Sequence, residues 1–255
     1  MNVVKLYVVK DYEEMSKKAG EIVKRFVKEN PTGVLGLATG STPEGMYQYL
    51  IDDHRKNGTS YKHMISFNLD EYVGLGEDHP QSYRYFMDHK LFNHIDIDKS
   101  NTHVPNGMAE DLEEECRAYD ASISDAGGVD LQILGIGQNG HIAFNEPGTP
   151  FDIRTHVVEL KESTRKANSR FFNSIDEVPT RALTVGIGTI LESNKIILLA
   201  SGKSKAEAMQ KLLAGPVTEE LPASALKNHP DVIIIADEDS LSATDEETIR
   251  KYLSD

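Results

Sequence analysis

Short runs of Val, Ile and Leu recur along the chain, and most are separated by longer segments whose apolar residues repeat every three to four positions. The runs are Val3–Val9, Val34–Ala38, Met64–Leu69, Val129–Leu134, His156–Leu160, Ala182–Val185, Lys195–Ala200 and Asp231–Ala236. Near-continuous apolar runs of this length fit strands buried on both faces, and the segments between them fit covering helices. In the first such segment Met15, Ala19, Ile22, Val23, Phe26 and Val27 form one stripe, and Asn30-Pro31-Thr32-Gly33 stops it. Helical patterns also fall at 82–92, 109–124, 161–172, 203–213 and 240–253. The alternation predicts an α/β fold, a mostly parallel sheet with helices on both faces. No linker-like stretch, low-complexity block or long repeat interrupts it, so residues 1–255 are expected to form a single domain. Such sheets bind ligands beyond the carboxyl ends of their strands, near the point where strand order reverses. The residues that follow each strand are therefore the ones that carry function.

Charge narrows the partners. The 255 residues hold 27 Lys and Arg against 41 Asp and Glu, a net charge of −14. A field of that sign repels nucleic acid and anionic lipid, so neither is expected as a partner. An anionic small molecule would have to be caught by a few local cations and backbone amides. The lone cysteine, Cys116, excludes an internal disulfide and a multi-cysteine metal site. It lies in the acidic helical stretch EDLEEECRAYD and reads as a structural thiol. No apolar run reaches the ~18 residues of a membrane span. The opening MNVVKLYVVKDYEE reads as a strand rather than a signal peptide, and a cytoplasmic location is expected.

Three post-strand loops stand out. Thr39-Gly40-Ser41-Thr42-Pro43 follows the second run, with Thr42 expected as N-cap and Pro43 as first helical residue. It is either a capped turn or a phosphate cradle made of outward N–H groups at a helix N-terminus. Asp70-Glu71-Tyr72 follows the third run. Adjacent side chains on a strand face opposite ways, so one carboxylate could serve a site as a base; the other reading is a solvated turn. Asn68 and Asp70 are expected to share a face. The richest loop is Gly135-Ile136-Gly137-Gln138-Asn139-Gly140-His141-Ile142-Ala143-Phe144-Asn145-Glu146-Pro147-Gly148. Its glycines admit close backbone approach, and Asn139, His141 and Glu146 supply an amide, an imidazole able to trade a proton near neutral pH, and a carboxylate to fix its tautomer. No second His or Cys lies nearby at metal-ligand spacing. Ser201-Gly202-Lys203-Ser204-Lys205 opens a helix with two cations, and Arg170 leads into Phe171 and Phe172, where its stem should pack.

LATGSTP, FNLDEYVGL, GIGQNGHIAFNEPG, ANSRFF, ALTVGIGTIL and SGKSKAEA, in this order and spacing, closely resemble the glucosamine-6-phosphate deaminase (isomerase) family from about Val34 to Leu213. The resemblance implies a Rossmann-like fold and conversion of glucosamine 6-phosphate and water to fructose 6-phosphate and ammonia. It implies that His141 opens the sugar ring, with Glu146 orienting and charging it. It also implies that Asp70 moves the proton from carbon 2 to carbon 1. Asn139 stands where many members have aspartate. Gly40, Ser41, Thr42, Arg170 and Lys205 match the phosphate-binding positions. The chemistry needs no electron sink, so neither metal nor organic cofactor is implied.

Two other readings compete. A 6-phosphogluconolactonase needs a phosphate cradle and a histidine loop but no carbon-2 base, so the Asp70-Glu71-Tyr72 motif favours the deaminase. A non-catalytic sugar-phosphate sensor would normally be fused to a DNA-binding segment, and a strongly acidic chain that opens on its first strand is not expected to be one. Some family members are hexamers activated by N-acetylglucosamine 6-phosphate, held by an Arg-x-Lys; here the matching residues are His156-Val157-Val158. The substitution predicts no such activation, and a monomer or small homo-oligomer.

Overall fold

The computed structural model describes residues 3–253. Met1 and Asn2, read from sequence as part of the opening strand segment, and Ser254 and Asp255, beyond the last helix, lie outside the described residues. In chain order the elements are β1 (Val4–Val9), α1 (Tyr12–Glu29), β2 (Val34–Leu37), α2 (Ser41–Asn57), β3 (Ile65–Asn68), β4 (Asp70–Tyr72), α3 (Tyr83–Lys90), β5 (Thr102–His103) and α4 (Leu112–Asp125). They continue with β6 (Leu131–Gly135), β7 (His156–Glu159), α5 (Glu162–Asn168), β8 (Arg181–Thr184), α6 (Ile187–Leu191), β9 (Lys195–Ala200), α7 (Ala206–Ala214), β10 (Val232–Asp237) and α8 (Glu246–Tyr252). No helix among the described residues is long and apolar enough to cross a membrane.

Seven strands form one sheet in the order β1-β10-β9-β6-β2-β3-β5, and every neighbouring pair is parallel. Alternate residues feed two apolar layers. On β9, Ile196, Leu198 and Ala200 pack with Leu134, Ile234, Met209 and Leu212, while Ile197 and Leu199 pack with Leu35, Ile133, Ile235, Val23 and Leu50. One layer is covered by α1 and α2, the other by α4, α7 and α8. Of the six residues in the expected α1 stripe, Met15, Ala19, Val23 and Val27 are buried and Ile22 and Phe26 flank them half-buried. Cys116 is buried on α4, where burial and nearby carboxylates push its thiol up to about 11. Strand order reverses between β2 and β6, which places the turns after those strands beside the crevice such sheets use for ligands.

The other three strands make a separate antiparallel sheet, β4-β8-β7. The runs at 156–160 and 182–185 therefore do not extend the parallel sheet. Val185 N–H donates to Leu69 O (2.7 Å) at the bend where the chain passes from β3 into β4. That bend corrects the expected pairing of Asn68 with Asp70: the two belong to different sheets, and the two-residue period does not carry across.

Candidate active site

The turn after β2 opens α2. Gly40 is the N-cap at φ +94°, a conformation that favours glycine, and Ser41 is the first helical residue. The helix thus begins earlier than Thr42 and Pro43 suggest; Pro43 still falls in the first turn, where its missing N–H leaves no helical bond unmade. The turn is braced from behind. Ala38 has left the sheet ladder, and the hydroxyl of fully buried Tyr47 on α2 accepts from Ala38 N–H (3.2 Å) and donates to Ala38 O. Tyr12 on α1 donates to Ser41 O (2.6 Å) and accepts from Gly45 N–H (2.8 Å).

The turn after β6 carries a hydrogen-bonded chain of His141, Asn139 and Glu146. Gly140, at φ +87°, turns the chain so that His141 folds back over Gly137; a Cβ at residue 137 would overlap the imidazole. Asn139 Oδ1 accepts from His141 N–H (3.1 Å), which fixes the amide's orientation, and it lies 2.7 Å from His141 Nδ1. An amide oxygen only accepts, so Nδ1 carries the hydrogen and Nε2 is left as the base. Asn139 Nδ2 donates to Glu146 Oε2 (2.7 Å), and Glu146 Oε1 stands 3.8 Å from His141 Nδ1. Glu146 therefore orients the imidazole through Asn139, not directly as the sequence implied. Burial and Lys205 hold the imidazole below its usual pKa, opposed by Glu146, so the neutral base dominates at pH 7. Ala143, at φ +50°, holds a left-handed conformation that costs an alanine of order 1 kcal/mol.

The two carboxylates of β4 have opposite surroundings. Glu71 is 2% exposed and is bound by three backbone N–H groups, from Tyr72 (2.9 Å), Tyr83 (2.9 Å) and Arg84 (3.0 Å). The last two are free N–H groups of the first turn of α3, so Glu71 ties β4 to that helix. Burial still pushes it up to about 7. Asp70 lines the cleft, and among the described residues no hydrogen bond to its carboxyl offsets its burial and the charge of Glu71, which push it up to about 8. A buried carboxylate left free beside a bound one is an arrangement suited to a general base.

These groups line one cleft of about 720 Å³. Gly40, Ser41, Thr42, Asp70, Asn139, His141, Arg170 and Lys205 all border it; Glu146 lies behind Asn139 and does not. Lys205 donates to Ile136 O (2.6 Å) and its ammonium is partly desolvated, which lowers its pKa. Lys203, expected to join it, is exposed and does not border the cleft. Arg170 is not packed as expected. It is exposed, with its guanidinium 4.6 Å from the Phe171 ring.

Sequence reasoning missed the wall formed by α5 and by Tyr83. Asn168 donates to the Tyr72 hydroxyl (2.8 Å) and Thr164 Oγ1 lies 3.4 Å from Glu146 Oε1, so one helix touches both β4 and the histidine loop. The spacing of Thr164 and Asn168 at i and i+4 was a signal available in the sequence. Among the described residues, no group of three or more His, Cys, Asp or Glu could hold a metal ion.

Residues 11–234 match the family model described as glucosamine-6-phosphate isomerases/6-phosphogluconolactonase. The glucosamine-6-phosphate deaminase of Thermoanaerobacter pseudethanolicus is 56% identical over 248 residues, 97% of this chain and 98% of that one. That of a Geobacillus species is 56% identical over 249 residues, 98% of this chain and 99% of that one. Among solved structures, a monomeric glucosamine-6-phosphate deaminase superposes with a TM-score of 0.92 at 52% identity, covering 94% of this chain and 99% of that one. The 6-phosphogluconolactonase of Trypanosoma brucei shares the fold, with a TM-score of 0.77 at 18% identity over 95% of this chain and 99% of that one.

Proposed function

The chain belongs to the glucosamine-6-phosphate isomerase/6-phosphogluconolactonase family, and from that premise we propose that it is a glucosamine-6-phosphate deaminase. The observation that carries this choice is the free, buried Asp70 facing the same cleft as the Asn139-held His141. A lactonase has no use for a carbon-2 base; an aldose–ketose isomerisation requires one.

The steps follow from the groups present. His141 Nε2 takes the proton from the anomeric hydroxyl and delivers it to the ring oxygen, so that the C1–O5 bond breaks and an aldehyde forms. Glu146, acting through Asn139, steadies the imidazolium that exists between those two transfers. Asp70 removes the proton from carbon 2 and returns it to carbon 1, while one proton passes from the nitrogen to the carbonyl oxygen of carbon 1, so the aldehyde becomes a hydroxymethyl group and an imine is left at carbon 2. Water adds there and ammonia departs, giving fructose 6-phosphate. The net change is glucosamine 6-phosphate plus water to fructose 6-phosphate plus ammonia, an isomerisation joined to hydrolytic loss of nitrogen. The phosphate is held by N–H groups of the Gly40–Thr42 turn, the Thr42 hydroxyl, Lys205 and Arg170. The enzyme acts in the cytoplasm, as a single-domain monomer or small homo-oligomer.

The test is direct. Ammonia and fructose 6-phosphate should appear in equal amounts from glucosamine 6-phosphate. Hydrolysis of 6-phosphogluconolactone without ammonia release from the amino sugar would favour the lactonase, and binding without turnover would favour a sensor.

A further inference from the structure

The turns after neighbouring strands of the main sheet are hooked to one another, and the last hook reaches the cleft. Asp237 ends β10 and is 4% exposed. Its carboxylate accepts from Ser201 Oγ (2.6 Å) and Gly202 N–H (3.0 Å), both in the turn after β9, and from Ser240 N–H (2.9 Å) in its own turn. Ser240 Oγ also lies 3.3 Å from Ala200 O, so the two turns are joined twice. Gly202 sits at φ +92°, and Lys205 N–H donates back to Gly202 O (3.1 Å), which starts the helical segment that delivers Lys205. Lys205 Nζ then reaches Ile136 O beyond β6. Asp237 itself does not border the cleft.

We propose that Asp237 is a positioning residue for phosphate recognition: by fixing the Ser201–Gly202 turn it sets where the Lys205 ammonium stands. The inference rests on the reading of Lys205 as a phosphate cation. A lysine side chain has four rotatable bonds, and Ile136 O anchors only its far end. The near end is set by the backbone of the turn, and two hydrogen bonds to one buried carboxylate, from Ser201 Oγ and Gly202 N–H, hold that turn still. The carboxylate is stabilised by those donors and stays ionised, with its pKa below the ordinary range. A displaced turn would leave Lys205 in the cleft but off the line to the phosphate oxygens, and small displacements of a binding group are costly.

The experiment compares Asp237→Asn, Ser201→Ala, Lys205→Ala and the Asp237→Asn/Lys205→Ala double variant. Each is assayed with glucosamine 6-phosphate and with unphosphorylated glucosamine, with inorganic phosphate as competing anion, and melting temperature is recorded alongside. Asp237→Asn is expected to raise KM for the phosphosugar and Ki for inorganic phosphate about tenfold, the scale of one charge-assisted hydrogen bond. Its kcat should change by less than about twofold and its kcat/KM for glucosamine should not move, a split that a purely structural brace would not produce. Ser201→Ala should shift both constants in the same direction by less. On the Lys205→Ala background, Asp237→Asn should add less than about twofold, because the group it positions is gone. An unchanged phosphate Ki in Asp237→Asn, with a raised one in Lys205→Ala, overturns the proposal alone. An unchanged Ki in Lys205→Ala removes the reading beneath it as well. Should Asp237→Asn fail to fold, Ser201→Ala decides, and an unmoved KM there is equally fatal.

Discussion

The end of the cleft proposed to hold phosphate and the end proposed to transfer protons handle charge in opposite ways. At the phosphate end Gly40, Ser41 and Arg170 are exposed, and attraction comes from N–H groups and a lysine that water still reaches. At the other end Asp70 is buried with no hydrogen bond to its carboxyl among the described residues, beside a second buried carboxylate, and burial also pulls the His141 imidazole toward its neutral form. Binding an anion needs only complementary charge in the right place. Moving a proton from carbon needs a base whose affinity for protons has been raised, and desolvation is the means available. On a chain of net charge −14 the first task is the harder one to place, and this explains why its groups gather where two strand-end turns meet a helix N-terminus.

That division predicts which kinetic constant each substitution moves. Asp70→Asn preserves shape and removes the base, so kcat should fall ~10²–10⁴-fold with KM nearly unchanged. Steady-state rates checked against an affinity measurement test this, and retention of more than about a tenth of kcat would place the base elsewhere. His141→Gln should slow ring opening, by up to about 10²-fold. Substrate enriched in the open-chain form should then recover part of the rate, and no recovery would remove His141 from that step.

The phosphate end should respond in KM alone. Lys205→Ala and Arg170→Ala each remove a charge-assisted hydrogen bond worth ~1.5–3 kcal/mol, a rise of tenfold or more for the phosphosugar. Lys205 should be the larger of the two, since it is partly desolvated and Arg170 is not. Equal losses on glucosamine without its phosphate would break the comparison.

A smaller effect is thermodynamic. The folded pKa of Asp70 is about 8 against an ordinary 3.8, and that of Glu71 about 7 against 4.5. Both groups bind protons more tightly when folded, so the stability linked to them is complete below pH 4 and is lost as pH rises through 7 to 8. The same titration should make kcat/KM climb toward pH 8 as Asp70 ionises. Asp70→Asn, inactive, should melt higher than the parent at pH 8 and above, by roughly 2–4 °C per kcal/mol relieved. Thermal melts from pH 5 to 9 check this.

The last expected effect is none at all. His156, Val157 and Val158 sit on β7. Val157, Val158 and Glu159 border an open hollow with Glu110, Asp111, Glu113 and a single arginine, Arg181. Burial lowers the His156 pKa and keeps it neutral. A phosphate dianion there would face four carboxylates. N-acetylglucosamine 6-phosphate should neither activate the enzyme nor alter a Hill coefficient near one; a sigmoidal curve made hyperbolic by it would overturn this.

The parallel sheet was readable from the chain because each of its interior strands is a run of apolar residues bounded by a turn. The small sheet was not: β4 is the three residues Asp-Glu-Tyr, and nothing local distinguishes that from a turn. Its pairing with β8 is a long-range event, and it brings Asp70 against Thr184. Likewise the residue types of the histidine loop were legible, while the order in which they touch was not. Asn139 stands between His141 and Glu146 because Gly137 and Gly140 fold the loop back on itself. Arg170 stays exposed although its guanidinium rests on the Phe171 ring, because that ring is itself exposed.

The space over Gly137 has a consequence for how such a loop can change through mutation. The imidazole of His141 occupies the volume a side chain at 137 would need, so the two positions cannot vary independently. Any side chain at 137 would displace the imidazole from its present place. Loss of the His141 side chain, by contrast, would free residue 137 to accept one. On the role proposed for His141, occupancy of that one position by anything larger than hydrogen would therefore mark a descendant that has kept the fold and abandoned the ring-opening step.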